Sequence, residues 1–288
     1  MIGDLLFALR QHLESLSETA SLDAQVLMGH ILEKPRSWVL AHPEARLTQG
    51  QEQKLNQALA RLQNGEPLPY VLGEWEFFSL EFSVTPSVLI PRPETELLVD
   101  QALQWLKSRP NRLLATAKNL YAADVGTGSG CIAISLAVHL PGLQVAAIDS
   151  SRAALEVAHA NALRHQVLQS LRFLQADLLS SFSKGPIFHL VCANLPYIPQ
   201  ETLPNLRVYG REPTLALDGG PGGLEMIERL LHQTRPRLAP GGLLLLEIEA
   251  SQGQLVLALA QQIFPSASVH LLQDLAERDR LVSIQLSG

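Results

Sequence analysis

The chain has 288 residues, 47% of them hydrophobic, and a formal net charge of −6. That length buries a sizeable core and suits two domains, and the acidic balance disfavours a large phosphate footprint, so no direct nucleic-acid partner is expected. No apolar run reaches the length of a membrane span, the N-terminus lacks a basic stretch leading into an apolar core, the two cysteines are Cys131 and Cys192, and the nine histidines are scattered. Together these predict a cytoplasmic protein with no membrane contact, no disulfide framework and no metal site.

From the N-terminus, Leu5, Leu6, Ala8, Leu9, Leu13 and Leu16 recur at helical spacing, as do Leu22, Ala24, Val26, Leu27, Ile31 and Leu32 after Ser21, an N-cap candidate. A third helix carries a capping box over Thr48 to Gln51, an apolar stripe at Leu55, Ala58, Leu59 and Leu62, and a stop at Asn64-Gly65. This helical section holds no chemistry of its own; a stabilising lobe and a docking surface are both open. Trp75, Phe77, Phe78, Leu80, Phe82 and Val84 alternate and predict two short strands in a hairpin. Pro91 and Pro93 then forbid a helix through Arg92, which makes Leu89 to Glu96 a stiff extended loop leading to a helix that starts near Glu94. An arginine on such a loop either covers a ligand or stands in solvent.

The next strand, Leu120 to Val125, turns at Gly126-Thr127-Gly128-Ser129-Gly130 into a helix over Cys131 to Leu140. Glycines there let the backbone approach a ligand and present amide hydrogens at a helix N-terminus. A second strand, Gln144 to Ile148, ends in Asp149, 23 residues beyond Gly126, where a carboxylate can accept from a ribose diol. The third glycine follows the second by two residues, which fits a nicotinamide dinucleotide poorly and S-adenosylmethionine better. Ser150 or Ser151 caps the following helix. A third strand, Leu171 to Ala176, ends at Asp177, an acceptor placed for an adenine amino group. Aspartates at strand ends also serve as turn or helix caps; three successive strand ends of this kind favour a ligand. The fourth strand, from Phe188, runs into Asn194-Leu195-Pro196-Tyr197. There the Asn194 side-chain oxygen and the Leu195 carbonyl can accept from the two hydrogens of a planar NH2 group, and Tyr197 offers a ring face. Beyond it the sequence predicts a helix over Leu224 to Leu238, a strand over Gly242 to Ile248 following Pro240-Gly241, a helix over Gln252 to Ile263, and two antiparallel segments, Ala267 to Leu272 and Arg280 to Leu286, at the sheet edge.

The glycine turn, Asp149 and the Asn-x-Pro-Tyr segment look like a class I methyltransferase that methylates amino groups. More narrowly, Tyr70 to Phe77, Leu89-Ile-Pro-Arg-Pro-Glu-Thr-Glu96 and Glu212-Pro-Thr-Leu-Ala-Leu-Asp-Gly-Gly220 resemble the HemK/PrmC glutamine methyltransferases, which modify the Gly-Gly-Gln loop of class I peptide chain release factors. The resemblance runs from about Pro67 to the C-terminus. It implies an α/β fold, a Rossmann-like seven-stranded methyltransferase sheet, with a small N-terminal helical domain joined by a hairpin-like linker. The corresponding segments are residues 1–72 for partner binding, 73–92 for the linker with short strands and 93–288 for the S-adenosylmethionine-dependent domain. It further implies that Gly126, Thr127, Gly128, Ser129, Gly130, Asp149, Asp177 and Asn194 hold S-adenosylmethionine, and that Asn194, Leu195, Pro196, Tyr197 and Arg92 hold the glutamine. Asn194 to Tyr197 would form the catalytic loop. In two places the chain departs from the pattern: Leu195 replaces the first proline of the usual Asn-Pro-Pro-Tyr, and Leu178 stands where some members carry an aromatic. The rival readings are a DNA or RNA adenine methyltransferase, which would use the same motif on a flipped base, and a binding module without turnover.

Overall fold

A computed structural model describes residues 1–14, 17, 19–108 and 120–288; Leu16, assigned to the first helix by its spacing, lies outside them. The chain divides into two compact units, Met1–Glu74 and Trp75–Gly288. The first holds α1 (Ile2–Leu13), α2 (Ala20–Leu32), α3 (Arg36–Ala41), α4 (Gln49–Gln63) and α5 (Leu68–Leu72) around Leu9, Leu13, Leu27, Met28, Val39 and Leu55. α4 keeps its capping box, with the Thr48 amide donating to Gln51 Oε1 at 2.9 Å and the Gln51 amide to Thr48 Oγ1 at 3.3 Å. Ser21 is not the cap of α2. The helix starts earlier, at Ala20, after an N-cap at Thr19 whose hydroxyl donates to Asp23 at 3.1 Å, and Ser21 falls in its first turn. α3 and α5 span six and five residues, too few for a periodic signal.

The predicted hairpin, β1 (Glu74–Phe77) and β2 (Leu80–Ser83), starts at the boundary residue Glu74 and is turned by Phe78 and Ser79 at φ 50° and 58°. A left-handed pair suits the right-handed twist of the two strands. After the proline loop come α6 (Glu96–Lys107), β3 (Tyr121–Val125), α7 (Cys131–His139), β4 (Gln144–Asp149), α8 (Arg152–Arg164), β5 (Leu171–Gln175), β6 (Phe188–Ala193), α9 (Glu225–Thr234), β7 (Leu238–Glu247), α10 (Gly253–Ile263), β8 (Ser268–Gln273) and β9 (Asp279–Gln285). Seven of these strands form one sheet in the order β5-β4-β3-β6-β7-β9-β8, parallel from β5 to β7, with β9 antiparallel to both β7 and β8.

The central strands are buried on both faces. Ala122, Leu190, Cys192, Leu243 and Leu245 pack with α6 and α7, while Ala123, Val191, Ala193, Leu244 and Leu246 pack with α9 and α10. This is the alternation of a pleated strand, doubled because both faces are covered. Two predicted boundaries move. α9 stops at Thr234, and β7 starts at Leu238, taking in the Pro240-Gly241-Gly242 turn through a register irregularity opposite Phe188 and Leu190. A bulge accommodates a proline and two glycines that would otherwise break a central strand.

Candidate active site

Because β3, β4, β5 and β6 run parallel, their carboxyl ends lie along one edge, where ligands bind in open α/β sheets. A cavity of about 320 Å³ opens there. Its wall includes Gly126, Thr127, Gly128, Ser129, Asp149, Asp177, Asn194, Leu195, Pro196 and Arg92, residues the sequence singled out from four different strand ends and a loop. Two others stand off the wall. Gly130, at φ +83°, starts α7, where an added Cβ would lie 2.8 Å from Ile134 Cδ1 and 3.1 Å from Ala158 Cβ; it is required by helix packing. Tyr197, half-buried, packs against the hydrophobic cluster on the α9 and α10 side of the sheet, its carbonyl accepting from Gln252 Nε2 at 2.9 Å, and burial pushes its phenol up to about 12.

The glycine turn is fixed by local hydrogen bonds. The amides of Gly126 and Thr127 both donate to the Ile148 carbonyl, at 2.8 and 2.9 Å, tying the end of β3 to that of β4. Gly126 and Gly128 take φ of +76° and +54°, a conformation costly to residues with a Cβ. Asp149 braces the turn, with Oδ2 accepting from the Gly128 amide at 2.9 Å and Oδ1 from that of Ser151 at 2.8 Å. Burial raises its pKa, and those amides act against the rise by favouring the charged form. Beneath the turn Asp124 is fully buried. Its Oδ2 accepts from Thr127 Oγ1 at 2.6 Å and from the Ala133 amide at 3.1 Å, yet desolvation still pushes it up to about 7.

Across the cavity, Asn194 Nδ2 donates to Thr95 Oγ1 at 3.0 Å. Oδ1 of the same amide keeps its acceptor capacity, and the residue stands on the cavity wall. Leu195 is buried, with its Cδ2 packed over Gly126, so the fourth strand end touches the glycine turn directly. Pro196 follows on the wall. Asp177 lines the opposite side and carries an ion pair to Arg229. Leu178, next to it, is buried with φ 52° and fills the wall.

Sequence reading missed three further residues. Glu212, buried, pairs with Arg92 and accepts from the Ile90 amide at 3.1 Å, so it holds the proline loop against the Glu212-Pro-Thr segment. Thr95 is buried between the proline loop and Asn194. Glu247, at the end of β7, is also buried, and desolvation pushes its carboxyl up to about 7. Glu212 and Thr95 stood inside the quoted motifs without a partner to give them meaning; Glu247 follows four leucines and offers a signal only as an acid closing an apolar strand. Among the described residues no cluster of His, Cys, Asp and Glu could hold a metal ion, and no helix is long and apolar enough to cross a membrane.

Comparison with known proteins decides the family. Residues 4–73 match the PrmC N-terminal domain and residues 99–204 the methyltransferase small domain. The chain is 42% identical to a release factor glutamine methyltransferase from Moorella thermoacetica, over 91% of this chain and 90% of that one. It belongs to the release factor glutamine methyltransferase family. The Escherichia coli member is 37% identical over 88% of this chain and 87% of its own. Among solved structures, a methyltransferase from Pyrococcus furiosus, 16% identical, superposes with a TM-score of 0.52 over 81% of this chain and all of that one, a likeness of fold. Two of the family-like segments, Leu89 to Glu96 and Glu212 to Gly220, therefore meet at the site. Arg92 and Glu212 join them, and Thr95 joins the first to Asn194.

Proposed function

We propose that the chain transfers the methyl group of S-adenosylmethionine to the side-chain amide nitrogen, N5, of the glutamine in the Gly-Gly-Gln loop of class I peptide chain release factors. The observation that carries this reading is a single cavity whose wall joins the glycine turn, the two strand-end aspartates and an asparagine with its acceptor oxygen available. Gly126 and Gly128 let the cofactor lie against the backbone, and Asp149, at the end of β4, keeps acceptor capacity for a ribose hydroxyl after taking two amides. When bound, the cofactor supplies a sulfonium methyl; transfer to the amide nitrogen leaves a thioether and releases one proton.

An amide nitrogen is a weak nucleophile because its lone pair is delocalised into the carbonyl. Asn194 Oδ1 and the Leu195 carbonyl accept its two hydrogens, hold the nitrogen in line with the methyl and stabilise the positive charge that develops on it. Leu195 and Pro196 exclude water from that side. Tyr197, half-buried after Pro196, packs its ring face on the amide plane. Arg92, clamped by Glu212, presents a cation at the rim. Residues 1–72 dock the release factor, a role supported by the exposed side chains of Phe7, Leu22 and Leu40.

The test is mass spectrometry of the Gly-Gly-Gln peptide after incubation of a purified release factor with the chain and S-adenosylmethionine, beside an adenine-containing DNA control. One added methyl on the glutamine, lost with Asn194→Ala while cofactor affinity is kept, is the expected result. Methyl on adenine alone, or equal loss of rate and cofactor affinity in Asn194→Ala, would refute the assignment.

A further inference from the structure

Asn161 lies in the last turn of α8 and is fully buried. Asparagine suits neither a helix interior nor an apolar core, and it persists in such a place only when its hydrogen bonds are made. Backbone groups make them here. Oδ1 accepts from the Ser83 amide at 2.8 Å, while Nδ2 donates to the Ser83 carbonyl at 3.0 Å and to the Ser129 carbonyl at 2.9 Å. A backbone N–H only donates and a carbonyl only accepts, so the side chain has one orientation, with both amide hydrogens and the oxygen in use.

The partners of Asn161 belong to different parts of the cavity wall. Ser129 stands in the glycine turn and on the wall itself. Across the same peptide bond the Gly130 amide donates to the Thr127 carbonyl at 2.8 Å, so this planar unit is held at both ends where α7 begins. Ser83 closes β2. From there the chain turns at Thr85, whose carbonyl accepts from the Val88 amide at 3.1 Å, and Ser87, Val88 and Leu89 come onto the wall. The rest of that loop has anchors of its own: Glu212 holds Ile90 and Arg92, and Thr95 accepts from Asn194.

Attachment of the hairpin does not account for all three bonds. Phe77 and Phe82 already sit in the core, Arg164 pairs with Glu81, and His165 Nε2 meets the Glu81 carbonyl at 2.8 Å. The bond to Ser129 adds nothing to that attachment. It falls on the turn that faces the cavity.

We infer that Asn161 is a positioning residue for the cofactor, one that sets the gap between the glycine turn and the wall from Ser87 to Leu89. The linker hairpin is thereby part of the cofactor site. This rests on the reading of the cavity as the place where S-adenosylmethionine binds. Asn161 is not on the cavity wall and acts through the backbone of Ser83 and Ser129.

The test is calorimetric titration of S-adenosylmethionine into the full chain, with thermal unfolding of the cofactor-free protein measured in parallel. Single-turnover methylation of a purified class I release factor at saturating S-adenosylmethionine completes the set. Asn161→Leu, close in volume and without hydrogen-bonding groups, should raise the cofactor dissociation constant roughly tenfold or more and lower Tm. The rate at saturating cofactor should stay within about threefold of the parent, because Arg92, Thr95 and Asn194 keep their own anchors. Asn161→Ser, one bond shorter and still polar, carries the test if Asn161→Leu does not fold. Leu103→Ala, a buried truncation in α6 away from the cavity, should lower Tm while the dissociation constant stays within about twofold. Asn161 variants that lose Tm yet bind the cofactor within about twofold of the parent, a Leu103→Ala protein that binds as weakly as Asn161→Leu, or a saturated rate that falls as far as the affinity would each overturn the clamp alone. No binding of S-adenosylmethionine by the unaltered chain would overturn the reading of the cavity, and the clamp with it.

Discussion

Glu247→Gln should make the protein more stable, and only at neutral to alkaline pH. The carboxyl is buried at the end of β7, and its pKa rises from 4.5 in the unfolded chain to about 7 in the fold, chiefly by desolvation. At roughly 1.36 kcal/mol per pH unit, that gap amounts to about 3 kcal/mol. The sign follows from proton counting. Below pH 4.5 the group is protonated in both states and contributes nothing. Between there and about pH 7 the folded state holds the proton more tightly, so stability falls as pH rises, and above that window the full cost is present. Glutamine keeps the shape without the charge, so the variant should match the parent in acid and exceed it by about 3 kcal/mol at about pH 8. For a unit of this size that corresponds to roughly 6–12 °C in Tm. Differential scanning calorimetry of both proteins at about pH 5 and pH 8 measures it. Asp124, also pushed up to about 7, gives both proteins the same underlying slope and cancels in the difference. A Tm gap that stays constant or narrows between the two pH values would refute the reasoning.

Gly130→Ala forces a Cβ into a left-handed residue and against Ile134 and Ala158. It should cost at least the roughly 1–2 kcal/mol of the backbone conformation, seen as a lowered Tm with weaker cofactor binding, because α7 begins there. Glu212→Ala leaves the Ile90 amide without its acceptor and Arg92 without its partner; a loss of about 1–3 kcal/mol in urea unfolding is expected, with a KM for release factor that rises more than that for the cofactor.

The parts legible in the sequence share a physical property: their meaning is local. Gly126 to Gly130 announces a turn because the positive φ of Gly126 and Gly128 is a property of those residues, and the Thr48 capping box closes within four positions. The strand ends carrying Asp149 and Asn194 were readable because buried parallel strands leave largely apolar runs that stop at a polar residue. What was not readable depends on separation along the chain. Thr95 meets Asn194 across 99 positions and Glu212 meets Ile90 across 122, and no periodicity connects such pairs. Asp177 looked like a free acceptor until the fold set Arg229 beside it, 52 residues later. The start of β7 was missed because Pro240-Gly241-Gly242 reads as a breaker, and only the bulge against β6 lets the strand pass through it.

Leu195 holds its loop by a different means from the proline that the related motif carries. A pyrrolidine ring fixes φ covalently, and to the same degree at any temperature. Leucine fixes it by burial, 3% exposed with its Cδ2 set over Gly126, through van der Waals contacts that are individually weak and loosen together on heating. The stiffness of this loop is therefore borrowed from the glycine turn beneath it. Warming that softens the turn releases the loop in the same step, so thermal inactivation of methyl transfer and loss of cofactor retention should share one temperature, below that at which the sheet itself melts.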